Sequence, residues 1–395
     1  MAASSPRLLF YCQDGAGLGH VRRAITLAAH LGDVLLGAES LILTRSAANL
    51  GLFALPPRCD IVKLPSLAPL GPDAQGELRT LVDEEPPRYL RLRAALIREL
   101  VHEFRPHLVH VDNEPQGLGG ELLPALAALR AECPETALVF GLRDIRGTGA
   151  HVRHSWSERN IYTTLDEHYR AILVYGERDV FDVAGEYGLR GVTYCGYLTP
   201  VRSCPDAAAW REERSISGAT PVIAVTAGSG ADGLLVMQAY LRALPLILGR
   251  VAVHTVMVTG PLMPSAHRDL LKAAAGGLLT LRETLDTYAL MAAARVVVCR
   301  GGYNSVAEAI ALGRIPLVIP RRTRSGEQAL RAALFAERGW CRTLAEESLT
   351  PERLADEVVK LCEHGPAPVP PLFQPAQALD RIAAALRPLL ADGHG

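Results

Sequence analysis

Short apolar runs alternate along the chain with longer segments whose apolar residues recur every three or four positions. The apolar runs predict strands at residues 8–12, 40–44, 60–64, 107–111, 137–141, 171–175, 192–195, 221–226, 251–258, 278–281, 296–299 and 315–320. The periodic segments predict helices at 24–31, 88–104, 285–294, 349–362 and 376–390, and others that begin near 234 and 303. Strands that alternate with helices in this way indicate an α/β protein with parallel sheets.

One segment without regular periodicity divides this pattern. Residues 198–220 contain two prolines and mixed charges, which is typical of a connection between domains. We therefore predict an N-terminal domain at 1–200, a linker at 201–220 and a second domain at 221–371. The remaining residues, 372–395, hold the last predicted helix.

Composition narrows the class of protein. A formal net charge of −1 argues against a nucleic-acid-binding protein, which normally carries a basic excess. The eight cysteines show no Cys-x-x-Cys pair and no metal-ligand spacing, so we expect buried thiols in a reducing cytoplasm and no metal site. The first apolar run is too short for a signal peptide, and no run approaches the roughly 18 apolar residues of a membrane span. A cytoplasmic location is therefore predicted.

The segment after the strand at 296–299 has the pattern of a phosphate-binding turn. Gly301 and Gly302 allow the backbone to approach a ligand, and the following helix start offers free N–H groups. Asn304 and Ser305 add side-chain donors there, and Glu308 follows one turn later, where a carboxylate can accept from sugar hydroxyls. This arrangement suits a nucleoside diphosphate. The alternative is an ordinary turn with a capped helix and a solvated glutamate.

A glycine-rich loop follows the first strand. Three glycines at alternate positions, the last two of them Gly17 and Gly19, lead directly to His20. The dinucleotide-binding fingerprint fails because His20 occupies its third glycine position. A histidine there can serve as a general base or orient an acceptor, or it can simply cap its own loop. Arg22 and Arg23 could face a donor phosphate or lie in solvent.

Polar residues also follow two later strands of the first domain. Asp112, Asn113 and Glu114 come after the strand at 107–111, and Arg143 and Asp144 come after the strand at 137–141. The carboxyl ends of parallel strands share one edge of a sheet, so these residues are candidates for the site of His20. Asp112 could orient His20, or one of the two carboxylates could itself be the base. An Asx turn before the next proline, and an ion pair within the second group, are the alternatives.

The second domain opens with a strand and a further glycine-rich loop. Gly228, Ser229 and Gly230 belong to a formal G-x-G-x-x-G sequence, so a dehydrogenase must be considered. The next strand, however, is followed by Thr259, Gly260 and proline, without the acidic residue that an NAD ribose needs. That omission counts against NAD. The loop better resembles the Gly-Ser turn of MurG-like enzymes, which implies that Ser229 and backbone N–H groups bind phosphate.

These motifs carry a family resemblance. Residues 296–339 resemble the donor-binding region of GT-B nucleotide-sugar glycosyltransferases, closest to the MurG-like family 28 group, and the N-terminal half is similar to bacterial predicted glycosyltransferases. The resemblance implies that Glu308 binds the donor ribose and that Gln328 contacts the donor sugar. It also implies donor contacts from Arg300 and Glu327, which border the same region, and the loop of His20 resembles the acceptor-side loop of such enzymes.

The resemblance implies two Rossmann-like domains with parallel sheets facing across a cleft, and a C-terminal helix that packs back on the N-domain. It implies a metal-independent glycosyltransferase without a cofactor, using a nucleoside-diphosphate sugar that is most often UDP-linked. Retaining GT-B enzymes commonly carry two glutamates eight positions apart around this helix, whereas Arg300 and Pro316 flank Glu308, so we expect an inverting enzyme. Our main expectation for the acceptor is a soluble small molecule.

Other functions remain open at this stage. A MurG-like transferase would act on a lipid-linked acceptor, and the basic amphipathic helix at 88–104 could then touch a membrane surface, which we do not favour. A nucleotide-sugar 2-epimerase shares the expected fold and needs no acceptor. An inactive module that only senses nucleotide sugars is a third alternative. Neither the oligomeric state nor the identity of the donor sugar can be deduced from these patterns.

Overall fold

The computed structural model describes residues 5–13, 18–35, 37–45, 53–65, 86–199 and 205–391. The chain forms two compact units, one comprising residues 1–200 with 375–395 and the other residues 201–374. The first unit thus contains the C-terminal helix as well as the N-terminal half. Gly17, expected to bind the acceptor, lies outside the described residues.

A parallel sheet forms the centre of the first unit. Its described strands are β1 (Arg7–Cys12), β2 (Glu39–Thr44), β3 (Cys59–Lys63), β4 (Leu108–Asp112), β5 (Ala137–Arg143), β6 (Ala171–Tyr175) and β7 (Val192–Tyr194). They lie in the order β3-β2-β1-β4-β5-β6-β7. The described helices are α1 (Gly19–Val34), α2 (Pro86–Phe104), α3 (Leu123–Glu132), α4 (Gly149–Glu158), α5 (Ile161–His168) and α6 (Val183–Tyr187), and a 3-10 turn spans Leu118–Gly120.

The second unit repeats this architecture. Its strands are β8 (Val222–Thr226), β9 (His254–Val258), β10 (Thr280–Arg282), β11 (Val296–Cys299), β12 (Leu317–Val318) and β13 (Arg342–Thr343), in the order β10-β9-β8-β11-β12-β13. Its helices are α7 (Ala207–Glu212), α8 (Leu234–Leu248), α9 (Ser265–Ala275), α10 (Thr287–Ala293), α11 (Tyr303–Ala311), α12 (Glu327–Glu337) and α13 (Pro351–Glu363). The 3-10 turns Glu346–Ser348 and Pro371–Phe373 complete it, and α14 (Pro375–Ala391) returns to the first unit.

All strand pairs that the two sheets contain are parallel, which confirms the predicted α/β class. The strands are almost wholly apolar because helices cover both faces. In each unit the strand order reverses at one point, between β1 and β4 and between β8 and β11. Ligands of open α/β sheets bind beyond the carboxyl ends of the strands at such a point, so each unit has one favoured position for a site.

The structure also contains elements that the apolar pattern did not indicate. The predicted linker includes α7, whose Trp210 is buried and which packs on α10. Helices α3, α4, α5, α6 and α9 and strand β13 are likewise additional. Strand β13 consists of two exposed residues, Arg342 and Thr343, and therefore has no apolar signature. Helix α14 packs on α1, with His30 Nε2 3.6 Å from an oxygen of Asp380.

Candidate active site

The site of the first unit is built where β1 and β4 lie side by side. Cys12, the last residue of β1, is in register with Asp112, the last residue of β4. Helix α1 begins at Gly19, just beyond the loop after β1, so its first turn carries His20 over the end of β4. The Nδ1 atom of His20 lies 2.6 Å from Oδ2 of Asp112. The structure therefore brings together two residues that are 92 positions apart in the sequence.

Arg23 is the third member of this group. It is buried and binds Asp112 through two nitrogens of its guanidinium. Nε lies 3.3 Å from Oδ1, and Nη2 lies 2.7 Å from Oδ2. This places Arg23 beside the base candidate and away from bulk solvent. The sequence held a signal for it, because residues three apart on a helix share one face, and Arg23 follows His20 by three.

Electrostatics favour a neutral His20 above an ionised Asp112. Burial lowers the pKa of His20 below its ordinary value of 6.5, and Arg23 and Arg143 act in the same direction against the opposing charge of Asp112. Burial by itself would raise the pKa of Asp112, but Arg23 and His20 outweigh it and hold the pKa of that carboxyl well below its usual range. Near neutral pH, this group can therefore accept a proton on the imidazole.

Asn113 and Glu114 continue from Asp112 into a tight turn. Asn113 is buried, has a φ of 69°, and donates its backbone N–H to the carbonyl oxygen of Gly141. Glu114 is buried and ion-paired with Arg146 and Arg159. Its carboxylate is thus engaged by two cations, in contrast to the imidazole of His20.

The other acceptor candidates lie nearby in the chain. Arg143 ends β5 and is half-buried, and its charge reaches His20, whose pKa it lowers. Asp144 is buried, and one of its side-chain oxygens accepts the backbone N–H of Ile145. Gly19 forms the first residue of α1.

The second unit has its own site at the carboxyl ends of β8 and β11. The glycine-rich loop after β8 lies beside the start of α11, since a Cβ added at Gly228 would lie 4.0 Å from Oγ of Ser305. Gly230 has a φ of 92°, and a Cβ there would lie 2.0 Å from the carbonyl oxygen of Thr259. Only glycine fits such a backbone contact. The loop is also held by Ser229, whose carbonyl oxygen accepts the N–H of Leu262 at 2.8 Å.

Helix α11 offers its N-terminus at the same edge of the sheet. Its N-cap is Gly302, which provides no side-chain cap, and Asn304 and Ser305 lie half-buried in the first turn. Glu308 is only 1% exposed and lies on the buried side of this helix. A carboxylate this deeply buried is unusual and needs polar partners. The alternative that Glu308 is a solvated surface residue is therefore wrong.

Arg300 lies next to this turn and contacts two acidic residues. It is buried, with Nη2 2.6 Å from Glu346 and Nε 3.9 Å from Asp232. The exposed Arg321 reaches the same oxygen of Asp232 at 3.2 Å. Asp232 and Glu346, which the motif analysis did not single out, therefore set the charge around Arg300.

Glu327 and Gln328 begin α12 and support the turns around them. The side-chain oxygen of Gln328 accepts the backbone N–H of Arg321 at 2.8 Å. Glu327 pairs with Arg331 at 3.1 Å, and Arg331 in turn donates to the carbonyl oxygen of Gly301 at 2.8 Å. Arg331 is fully buried and was not expected from the motifs. Among the described residues, no group of three or more His, Cys, Asp or Glu could hold a metal ion.

Comparisons with known proteins show which family domain and which enzymes this chain is similar to. Residues 283–381 match the glycosyltransferase family 28 C-terminal domain. The chain is 27% identical over 300 residues to the UDP-N-acetylglucosamine–N-acetylmuramyl-(pentapeptide) pyrophosphoryl-undecaprenol N-acetylglucosamine transferase of Saccharopolyspora erythraea, covering 75% of this chain and 70% of that protein. Alignments with several other enzymes of the same name cover less than half of those proteins.

Solved structures give the same fold at low sequence identity. MurG of Acinetobacter baumannii matches with a TM-score of 0.55 and 15% identity, covering 98% of both chains. A putative UDP-N-acetylglucosamine 2-epimerase of Listeria monocytogenes matches with a TM-score of 0.64 and 15% identity, covering 97% of this chain and 96% of that one. The two parallel-sheet units thus have the GT-B fold of these solved structures. The chain is therefore a glycosyltransferase with a match to the family 28 C-terminal domain, and it is similar to MurG-type transferases.

Proposed function

We propose that this protein transfers a sugar from a UDP-linked donor to a lipid-linked acceptor, with inversion at the anomeric carbon. The observation that carries the proposal is the contact between the partly exposed His20 and the buried Asp112 at the strand-order reversal of the first unit, because it supplies a base for a hydroxyl. The acceptor class follows the names of the relatives, which act on a pyrophosphoryl-undecaprenol compound. It replaces the soluble small molecule expected from the sequence.

In the proposed reaction, Nε2 of His20 accepts the proton of the acceptor hydroxyl. The hydroxyl oxygen bonds to the anomeric carbon, while the bond between that carbon and the diphosphate oxygen breaks and the diphosphate keeps the electron pair. Asp112 stabilises the imidazolium that forms. The N–H groups at the start of α11 and at the Gly228–Gly230 loop stabilise the leaving diphosphate.

Donor recognition is assigned to the second unit. Glu308 accepts hydrogen bonds from the ribose hydroxyls, and Ser305 and Asn304 donate to phosphate oxygens. Arg300 adds positive charge next to the turn, where Glu346 holds it in place. Gln328 contacts the donor sugar with its amide nitrogen, while its oxygen remains bound to the backbone of Arg321.

A feature of α2 supports a lipid-linked acceptor. Leu92 and Leu96, one turn apart, are 43% and 44% exposed, and Arg91 and Arg98 beside them are exposed as well. Apolar side chains among arginines suit the surface of an acidic bilayer. No helix among the described residues is long and apolar enough to cross a membrane.

The test follows release of nucleoside diphosphate and the identity of the sugar product, with purified protein and UDP-N-acetylglucosamine, UDP-glucose or a dTDP-sugar. Each donor is offered with a polyprenyl-diphosphate-linked saccharide in detergent, with a soluble saccharide, and alone. Transfer that needs the lipid-linked acceptor supports the proposal. Transfer to a soluble acceptor restores the small-molecule alternative, and a change at sugar C2 without any acceptor identifies an epimerase.

The membrane surface has a separate test with a matched control. The double variant Leu92→Ser/Leu96→Ser should lose binding to vesicles that contain acidic phospholipid. Leu246→Ser/Leu248→Ser, which removes two exposed leucines from α8 in the other unit, should bind like the unmodified protein. Equal binding by both variants would remove α2 as the contact.

A further inference from the structure

We propose that Arg23 is a positioning residue for the base, because it fixes the plane of the Asp112 carboxylate and thereby the nitrogen of His20 that carries the proton. The inference rests on the proposed function, in which His20 is the base. It assigns a role to a buried side chain that the motifs do not specify.

Arg23 contacts both oxygens of the Asp112 carboxylate. Arg23 Nε donates to Oδ1 of Asp112, and Nη2 donates to Oδ2, so the planar guanidinium binds both oxygens. A bidentate contact of this kind sets the orientation of a carboxylate, which a single contact does not. The same Oδ2 then lies 2.6 Å from Nδ1 of His20. The side chains of Arg23 and Asp112 are each 3% exposed, and the side chain of His20 is 14% exposed.

A single proton lies between His20 and Asp112. Two unprotonated acceptors would repel each other at 2.6 Å, so one proton must lie between Nδ1 and Oδ2. Since Arg23 keeps Asp112 ionised, that proton belongs to Nδ1, and Nε2 retains its lone pair. Nη2 of Arg23 lies only 3.2 Å from Nδ1. In the opposite tautomer, an unprotonated Nδ1 could accept a hydrogen bond from Nη2 of Arg23. The tautomer with a protonated Nδ1 is therefore favoured only while Arg23 donates to Asp112.

Arg23 is itself held from the next strands of the sheet. Its guanidinium lies 5.4 Å from the centre of the Tyr175 ring, and Oη of Tyr175 lies 2.5 Å from Nε2 of His110. The charged groups that act on His20 are Asp112 from β4, Arg23 from α1 and Arg143 from β5. His110 from β4 and Tyr175 from β6 instead face Arg23. Arg23 is the cation in this set that contacts Asp112 directly.

The experiment is 15N NMR of histidine-labelled full-length protein, with the His20 signals assigned from a His20→Gln spectrum. In the unmodified protein we expect protonated Nδ1 and unprotonated Nε2 at neutral pH. Arg23→Met should raise the pKa of His20 by about one unit, because Asp112 then acts on His20 alone. Arg23→Lys keeps the positive charge but loses the two-point contact with the carboxylate. In this variant we expect both tautomers of His20 to be populated, with a His20 pKa within about half a unit of that in the unmodified protein.

Turnover gives the second readout. Arg23→Met and Arg23→Lys should each lower kcat at least tenfold with donor KM changed less than twofold. In Arg23→Met, the acid limb of the kcat profile should also move to higher pH. Arg93→Met is the matched control, because Arg93 forms a buried pair with Glu121 in the same unit and takes no part in the proposed site. It should leave the His20 signals unchanged.

Unchanged tautomer and pKa of His20 in the folded Arg23 variants would overturn the proposal. If Arg23→Met does not fold, the tautomer in Arg23→Lys decides the question. The proposed function fails separately, when the unmodified protein transfers no sugar. The NMR result still holds in that case, so the two failures are distinguishable.

Discussion

Gly301 lies so close to Gln328 that a side chain at Gly301 has no room, although 27 positions separate the two residues. A Cβ added at Gly301 would lie 2.8 Å from Cβ of Gln328 and 3.1 Å from its carbonyl oxygen. The turn before α11 and the first turn of α12 are therefore packed closely together. Arg331, which donates to the carbonyl oxygen of Gly301, adds a second link between the same two elements.

Replacing Gly301 by Ala should destabilise the protein by about 1–3 kcal/mol, because the new methyl group has no room beside Gln328. Urea unfolding followed by circular dichroism measures this. Gly302→Ala is the matched control, since nothing lies within 4 Å of a Cβ there and its φ of −67° suits alanine. Equal stability of the two variants would show that the close contact has no energetic consequence.

Replacing Glu308 by Gln should weaken UDP binding by about 10–100-fold, because hydrogen bonds from the ribose to a charged acceptor become bonds to a neutral amide. Isothermal calorimetry with UDP is the measurement. Glu352→Gln on the exposed face of α13 serves as the control and should bind UDP normally. An unaltered dissociation constant in Glu308→Gln would exclude the ribose assignment.

Glu114 and His20 can be separated as candidates for the base. Glu114→Gln should cost about 3 kcal/mol of stability, because two arginines lose their charged partner, but should lower kcat less than tenfold at a temperature where it is folded. His20→Asn should lower kcat a hundredfold or more and leave donor KM nearly unchanged. The reverse pattern in kcat would transfer the role of base to Glu114.

His110 should make the protein sensitive to acid. Burial is the main reason that its pKa falls from 6.5 to about 4, so the unfolded chain binds a proton more readily than the folded one. Its contribution to stability is present above pH 6.5 and is lost as the pH falls toward 4. Between pH 7 and pH 5 this amounts to roughly 2 kcal/mol. Urea unfolding of His110→Gln at both pH values should show a smaller loss than the unmodified protein, whereas equal losses would contradict the assignment.

Much of the fold could be predicted because its signal is local. Buried parallel strands such as β1, β8 and β11 must be apolar along their whole length, and glycine turns and amphipathic helices follow them. The short edge strand β13 and the polar helix α4 were missed, since few apolar residues mark them. Helix α7 was missed for a related reason, because Trp210 is its only buried residue.

The sequence by itself determined the class of fold, the two glycine-rich turns, and the candidacy of His20, Asp112 and Glu308, because residue type and position after a strand are local properties. Only the tertiary structure decided which of these groups touch. It placed Arg23 on Asp112 and Glu114 between two arginines, although the sequence gives both arginines and carboxylates the appearance of surface residues. Burial and pairing arise from contacts between distant segments, and these contacts set the protonation states on which the chemistry depends.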